Sequence, residues 1–127
     1  MSRIRPRPTD AELAILRVLW EHGPSTVRQV HEALATRETG YTTTLKLMQI
    51  MTEKGLVTRD ESSRTHVYAA SLSEEQTQGD LVRDLVDRAF GGSAAALVLR
   101  ALSSHDTSPD QLREIRKLID DYRKERP

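Results

Sequence analysis

Tyr41-Thr-Thr-Thr-Leu-Lys-Leu-Met-Gln-Ile-Met-Thr-Glu-Lys54, stopped by Gly55, is the stretch whose reading decides the fold. Leu47, Met48 and Met51, with Leu45 or Thr44 beside them, recur at helical spacing and give this segment one apolar face. Thr42, Lys46, Gln49 and Glu53 follow the i, i+4, i+7, i+11 spacing on the opposite face, with Thr43 at its edge. After Gly55 the period changes. Residues 56–60 and 65–69 are short, contain Val and Thr, and flank Glu61-Ser-Ser-Arg64, a pattern that predicts a β-hairpin.

Working upstream, Thr9-Asp-Ala-Glu12 reads as a capping box, in which the threonine oxygen accepts from an orphan amide while the glutamate reaches back. Leu13, Ile15, Leu16, Val18, Leu19 and Trp20 give the helix it opens a broad apolar surface. His22-Gly23-Pro24 ends that helix, because glycine takes the position past the last turn and proline cannot continue it. Ser25 or Thr26 caps a second helix with Val27, Val30 and Leu34 on one face, which fades into the polar residues 36–40. Three short helices and a hairpin within about 60 residues predict a winged helix-turn-helix over residues 1–70. In that fold the third helix enters the DNA major groove and the hairpin lies over the phosphate backbone.

Downstream, Ser73-Glu-Glu-Gln76 is a second capping box, leading into a helix that reaches Ala89 with a stripe of Leu81, Val82, Leu85, Val86, Ala89 and Phe90. Gly91-Gly92 breaks it, Ser93 starts another helix, and residues 94–99 are apolar all round. Ser108-Pro109-Asp110-Gln111 opens the last helix, where Leu112, Ile115, Ile119 and Tyr122 form a heptad-like seam. Residues 71–127 are too few to bury these surfaces alone. Pairing two chains supplies the missing core, so this half is expected to be a helical dimerisation domain, with Leu85, Phe90, Leu97, Leu99, Leu102, Ile115, Ile119 and Tyr122 at the contact. The alternative is a helical bundle that folds back on its own first half. A two-fold dimer sets two third helices about one DNA turn (~34 Å) or a multiple apart, which predicts a palindromic site. The expected class is mainly α with a small β-hairpin.

The chain has 127 residues, 37% hydrophobic and 30% charged, with 19 basic and 19 acidic side chains. That is enough apolar content for a fold. Residues 1–70 hold ten Lys/Arg against eight Asp/Glu, and residues 71–127 nine against eleven, an asymmetry too small to decide anything alone. The absence of cysteine excludes disulfides, thiolate zinc sites and cysteine nucleophiles. The longest charge-free run, residues 89–99, falls far short of the roughly 20 apolar residues of a membrane span. Residues 1–8 lack the apolar region of a signal peptide, so a soluble cytoplasmic protein is expected.

The exposed face of the third helix favours DNA over a solvated surface. Threonines, Lys46 and Gln49 suit base edges and phosphates, whereas an idle helix face more typically alternates Glu and Lys. Thr43, Lys46 and Gln49 are the first candidates for groove contacts, with Thr42 next. Tyr41 bonds a phosphate or staples the helix start. Thr26 and Arg28 sit where the second helix would meet a phosphate. Arg64 on the hairpin tip is a further phosphate candidate, and Arg3, Arg5 and Arg7 form a basic arm. His22, His31, His66 and His105 are scattered, so no metal site is expected; nor is a cofactor. With no Gly-rich phosphate loop and no Ser/His/Asp set, the chain is not expected to be an enzyme. A winged helix that binds protein, and a repressor switched by a small ligand in its helical half, are the competing readings.

Residues 9–20 resemble the opening helix of the BlaI/MecI penicillinase-repressor family, and Gly23-Pro-Ser-Thr-Val-Arg-Gln-Val30 resembles the family's next segment. Tyr41-Thr-Thr-Thr44 and Met51-Thr-Glu-Lys-Gly-Leu-Val57 are similar to the family's recognition helix and its exit. Arg64-Thr-His-Val-Tyr68 is similar to its wing, and Phe90-Gly-Gly-Ser93 to a motif of its dimerisation part. The resemblance covers residues 9–102. It implies a homodimeric transcriptional repressor on a palindromic double-stranded operator, relieved when a membrane-bound sensor metallopeptidase that responds to β-lactams leads to cleavage of the dimerisation domain. The bond cut in well-known members is Asn-Phe, and the same distance from Phe90 falls here on Arg100-Ala101. The C-terminal cysteine pairs of the copper-responsive branch are missing, which excludes soft-metal sensing by that route.

Overall fold

The computed structural model describes residues 7–34 and 40–125. Arg3 and Arg5 of the basic arm, and residues 36–39 where the second helix is expected to fade, lie outside them. In chain order the elements are α1 (Asp10–His22), α2 (Val27–Ala33), α3 (Tyr41–Lys54), β1 (Val57–Asp60), β2 (Val67–Ala70), α4 (Glu74–Ala89), α5 (Ala94–Ser104) and α6 (Pro109–Glu125). The fold is mainly helical with one antiparallel hairpin, a winged helix followed by further helices. The chain divides into two compact units, one ending at Val82 and the other starting at Arg83, so the division falls within α4.

In the first unit each helix starts where local chemistry satisfies its orphan amides. The Glu12 amide donates to Thr9 Oγ1 at 3.2 Å while the Thr9 amide donates to Glu12 Oε1 at 2.9 Å. Thr26, rather than Ser25, caps α2 in the same reciprocal way with Gln29. Ser25 is engaged elsewhere: its amide donates to the Tyr68 carbonyl at 2.9 Å and its carbonyl accepts from the Tyr68 amide at 2.8 Å. That bridge fastens the root of the hairpin to the turn between α1 and α2. Gly55 ends α3 in the left-handed region at φ 81°, where a side chain would be strained.

The core joins Ile15, Leu16 and Leu19 of α1 to Val27 and Val30 of α2, Met48 and Met51 of α3, and Val57 and Tyr68 of the hairpin. The inner face of α3 therefore contains Thr44, which is buried, in preference to Leu45, which is half-buried. A buried hydroxyl needs a partner, and His31 Nδ1 lies 2.9 Å from Thr44 Oγ1. Buried Glu12 meets Lys54 Nζ at 3.0 Å from both carboxylate oxygens, joining the first turn of α1 to the last of α3. Burial pushes the Glu12 carboxyl up, but the Thr9 amide and the Lys54 ammonium outweigh it and hold it below the usual range. Trp20 Nε1 donates to the Leu72 carbonyl at 3.1 Å, fixing the chain that leaves the hairpin against α1.

The hairpin pairs Val57 with Ala70 and Asp60 with Val67. Its second strand thus starts two residues later than the expected residues 65–69, and Thr65 and His66 belong to the tip. The tip is held by its own short-range bonds: the Ser62 amide donates to Asp60 Oδ1 at 2.9 Å, and Ser63 Oγ donates to the Thr65 carbonyl at 2.8 Å.

In the second unit, Gly91 (φ 58°) and Gly92 (φ 84°) make a left-handed turn that other residues adopt only under strain. Ser93 then caps α5 by accepting from the Ala96 amide at 3.1 Å, and Ser108 and Gln111 form a capping box at the start of α6. No described residue of α5 or α6 is buried. Among the described residues no helix is long and apolar enough to cross a membrane.

Candidate nucleic-acid interface

Three elements of the first unit converge on an open groove of about 480 Å³. The start of α2 contributes Thr26 and Arg28, the start of α3 contributes Tyr41, and the hairpin contributes Arg64, His66 and Tyr68. Among the described residues no carboxylate lines it. Two guanidinium groups, an imidazole and two phenols around this groove make a surface that attracts anions.

Tyr41 packs against α2 while lining the groove. Its ring lies at 82° to that of His31 with centroids 5.9 Å apart, and the Arg28 guanidinium carbon sits 4.9 Å over the ring centroid. Arg28 is thereby held by a cation–π contact at the mouth of the groove while staying exposed. Thr26 is already occupied: its hydroxyl accepts from the Gln29 amide at 3.1 Å and its amide donates to Gln29 Oε1 at 2.9 Å. The Thr-x-x-Gln box in residues 26–29 is the sequence signal for this double engagement. Arg64 is exposed at the hairpin tip. The neighbouring Arg59 is spoken for, since Tyr68 first and then Glu61, 3.0 Å away, hold its guanidinium above the usual range.

Thr42, Thr43, Lys46 and Gln49 are all exposed on α3, with Glu53 further along the same face. They do not line the groove; they form a separate strip beside it. Five groove residues, Val27, Leu45, Thr65, His66 and Tyr68, are not evident as contacts in the sequence. Leu45 reads there as part of the inner face of α3. His66 reads as one of four scattered histidines. Among the described residues no group of three or more His, Asp or Glu side chains could hold a metal ion.

The second unit carries a different surface. Of the residues expected at a chain–chain contact, Leu85 (48%), Leu99 (69%), Ile119 (51%) and Tyr122 (57%) are well exposed in the single chain, and Leu102 also counts as exposed. Phe90, Leu97 and Ile115 are half-buried. Leu118, outside the heptad-like seam, is 66% exposed and widens the stripe.

Comparison with known proteins agrees with this architecture. The family model described as penicillinase repressor matches residues 8–121. The transcriptional regulator BlaI of Mycobacterium tuberculosis is 39% identical over 93 residues, covering 70% of this chain and 67% of that protein. The penicillinase repressor of Bacillus licheniformis is 22% identical over 119 residues, covering 93% of each chain. The methicillin resistance regulatory protein MecI of Staphylococcus aureus is 18% identical over 112 residues, covering 87% of this chain and 91% of that one. A match that runs from the residue before the first cap into the last helix, over every element described above, places the chain in the penicillinase repressor family.

Proposed function

We propose that the chain is a homodimeric transcriptional repressor that acts in the cytoplasm on a palindromic double-stranded operator. The observation that carries this reading is the groove lined by Arg28 and Arg64, with no carboxylate among its described lining residues, next to the exposed strip Thr42, Thr43, Lys46 and Gln49 of α3. The strip has the donors and acceptors to read base edges in the major groove, and the groove receives the flanking phosphate backbone. Tyr41 supports this by keeping Arg28 in place. Residues 1–70 form the DNA-binding part and residues 71–127 the dimerisation part. The exposed apolar residues of α5 and α6 support that division, because two-fold pairing removes them from water.

Relief of repression by the family's route requires a membrane sensor metallopeptidase to trigger a cut in the helical half. The equivalent bond, Arg100-Ala101, lies inside α5 and both residues are exposed. A protease acting there must first unwind the helix. A mobility-shift titration on a duplex that the protein selects from a random pool, against a scrambled duplex, tests the repressor reading. Tight binding that prefers the selected sequence and falls steeply with salt is expected. Equal, weak binding to both duplexes refutes it and favours a protein partner.

A further inference from the structure

The groove contains a group that the repressor reading leaves without a task. His66 stands on its hairpin wall, half-buried, two residues from Arg64 and two from Tyr68. Arg28 and Tyr41 face the same space from α2 and α3. The pairing of the hairpin ends at Asp60 and Val67, and Glu61 follows in the tip. That carboxylate is taken by Arg59, at 3.1 Å from Nε and 3.0 Å from Nη2, and Asp60 is taken by the Ser62 amide. Among the described residues, the charged side chains that line the groove with His66 are Arg28 and Arg64.

We propose that His66 is a phosphate contact of the hairpin whose protonation is coupled to DNA binding. The proposal rests on the DNA reading above. A phosphate seated in the groove that Arg28, Arg64 and His66 line is an attractive partner for an imidazolium, so binding favours the protonated form. Imidazole is the side chain that makes this exchange between about pH 5 and 8. By linkage, affinity then rises on acidification. One phosphate facing one imidazole in an open groove is worth at most about one pH unit of displacement, so a three- to tenfold gain per protomer between about pH 8 and 6 is expected. Phosphates carry no base sequence, so selected and scrambled duplexes gain by the same factor and their affinity ratio stays constant.

The test uses the full chain and two labelled duplexes, one selected by the protein from a random pool and one scrambled. Affinity is followed by anisotropy against pH at fixed salt. Proton uptake is read by calorimetry in two buffers of different ionisation heat. The wild type is expected to take up protons on binding, His66→Gln to lose most of that uptake and the pH slope, and His105→Gln to keep both. Thermal melts of the variants confirm that they are folded. Uptake that survives in folded His66→Gln, or a wild type that binds with no uptake, overturns the proposal while leaving the DNA reading intact. A wild type that prefers neither duplex at any pH refutes the DNA reading and this inference with it.

Discussion

Replacing Glu12 by Gln keeps the side chain's shape and removes its charge at the point where α1 meets the end of α3. Glu12 is 2% exposed, while the Lys54 side chain is 35% exposed, so this ion pair has one dry and one wet partner. Two unit charges in contact attract by roughly 4 kcal/mol at an effective dielectric near 20. Withdrawing the carboxylate from water offsets much of that, and access of solvent to Lys54 screens more. What remains is about the worth of a charge-assisted hydrogen bond, ~2 kcal/mol. Glu12→Gln is therefore expected to unfold at lower urea, with an unchanged denaturant slope, when followed by the fluorescence of the single tryptophan, Trp20. The pH dependence carries the stronger test. The folded Glu12 carboxyl is held below its ordinary range, so its contribution is present above the unfolded carboxylate value, about pH 4.3, and is lost as pH falls through the folded one. The gap between wild type and variant should be full at neutral pH and close in acid. Equal stabilities at neutral pH, or a gap undiminished in acid, would refute the reasoning.

Three further outcomes are expected. Arg64→Ala should weaken selected and scrambled duplexes alike and lower the salt slope by about 1.8, the share of one phosphate for each protomer of the dimer, whereas Gln49→Ala should cost roughly 1–3 kcal/mol per protomer on the selected sequence alone; titrations at several salt concentrations separate the two. Thr26→Ala should destabilise the fold by about 1 kcal/mol through loss of the α2 cap, and Thr26→Ser should restore it, both read by urea melts. Ile119→Asp should shift the chain toward monomer in light scattering, because it puts a charge on the exposed apolar stripe of α6; an unchanged mass would remove α6 from the contact.

Local signals carried far into this fold. The capping boxes at Thr9, Ser73 and Ser108, the glycine stops at Gly23 and Gly55, and the change of period after Gly55 all stand where the sequence places them. Each depends on residues within a few positions of one another. Contacts made across the chain were not legible in the same way. Thr9-Asp-Ala-Glu12 announces a cap, but nothing in it says that Lys54, 42 residues on, will share the carboxylate. Thr44 and Leu45 are equally placed by helical spacing, and His31, from another helix, is what draws the threonine inward. The strip of α3 was readable because it is one face of one helix. The groove was only partly so, since it exists where α2, α3 and the hairpin meet, and Ser25 had first to be recognised as a strand partner of Tyr68.

The Ser25–Tyr68 bridge divides the hairpin into an anchored base and a free-standing end. Its two backbone bonds tie the base to the turn before α2, while residues 61–66 are held by bonds among themselves and their immediate neighbours. Length and sequence can therefore change at the end without moving the base, the core or α3. A longer end would deepen the groove wall that carries Arg64 and His66, and a shorter one would lower it. In this architecture the reach of the hairpin end is a separately adjustable part, and an end grafted from a relative could alter the proposed grip on the DNA backbone while leaving α3 as it was.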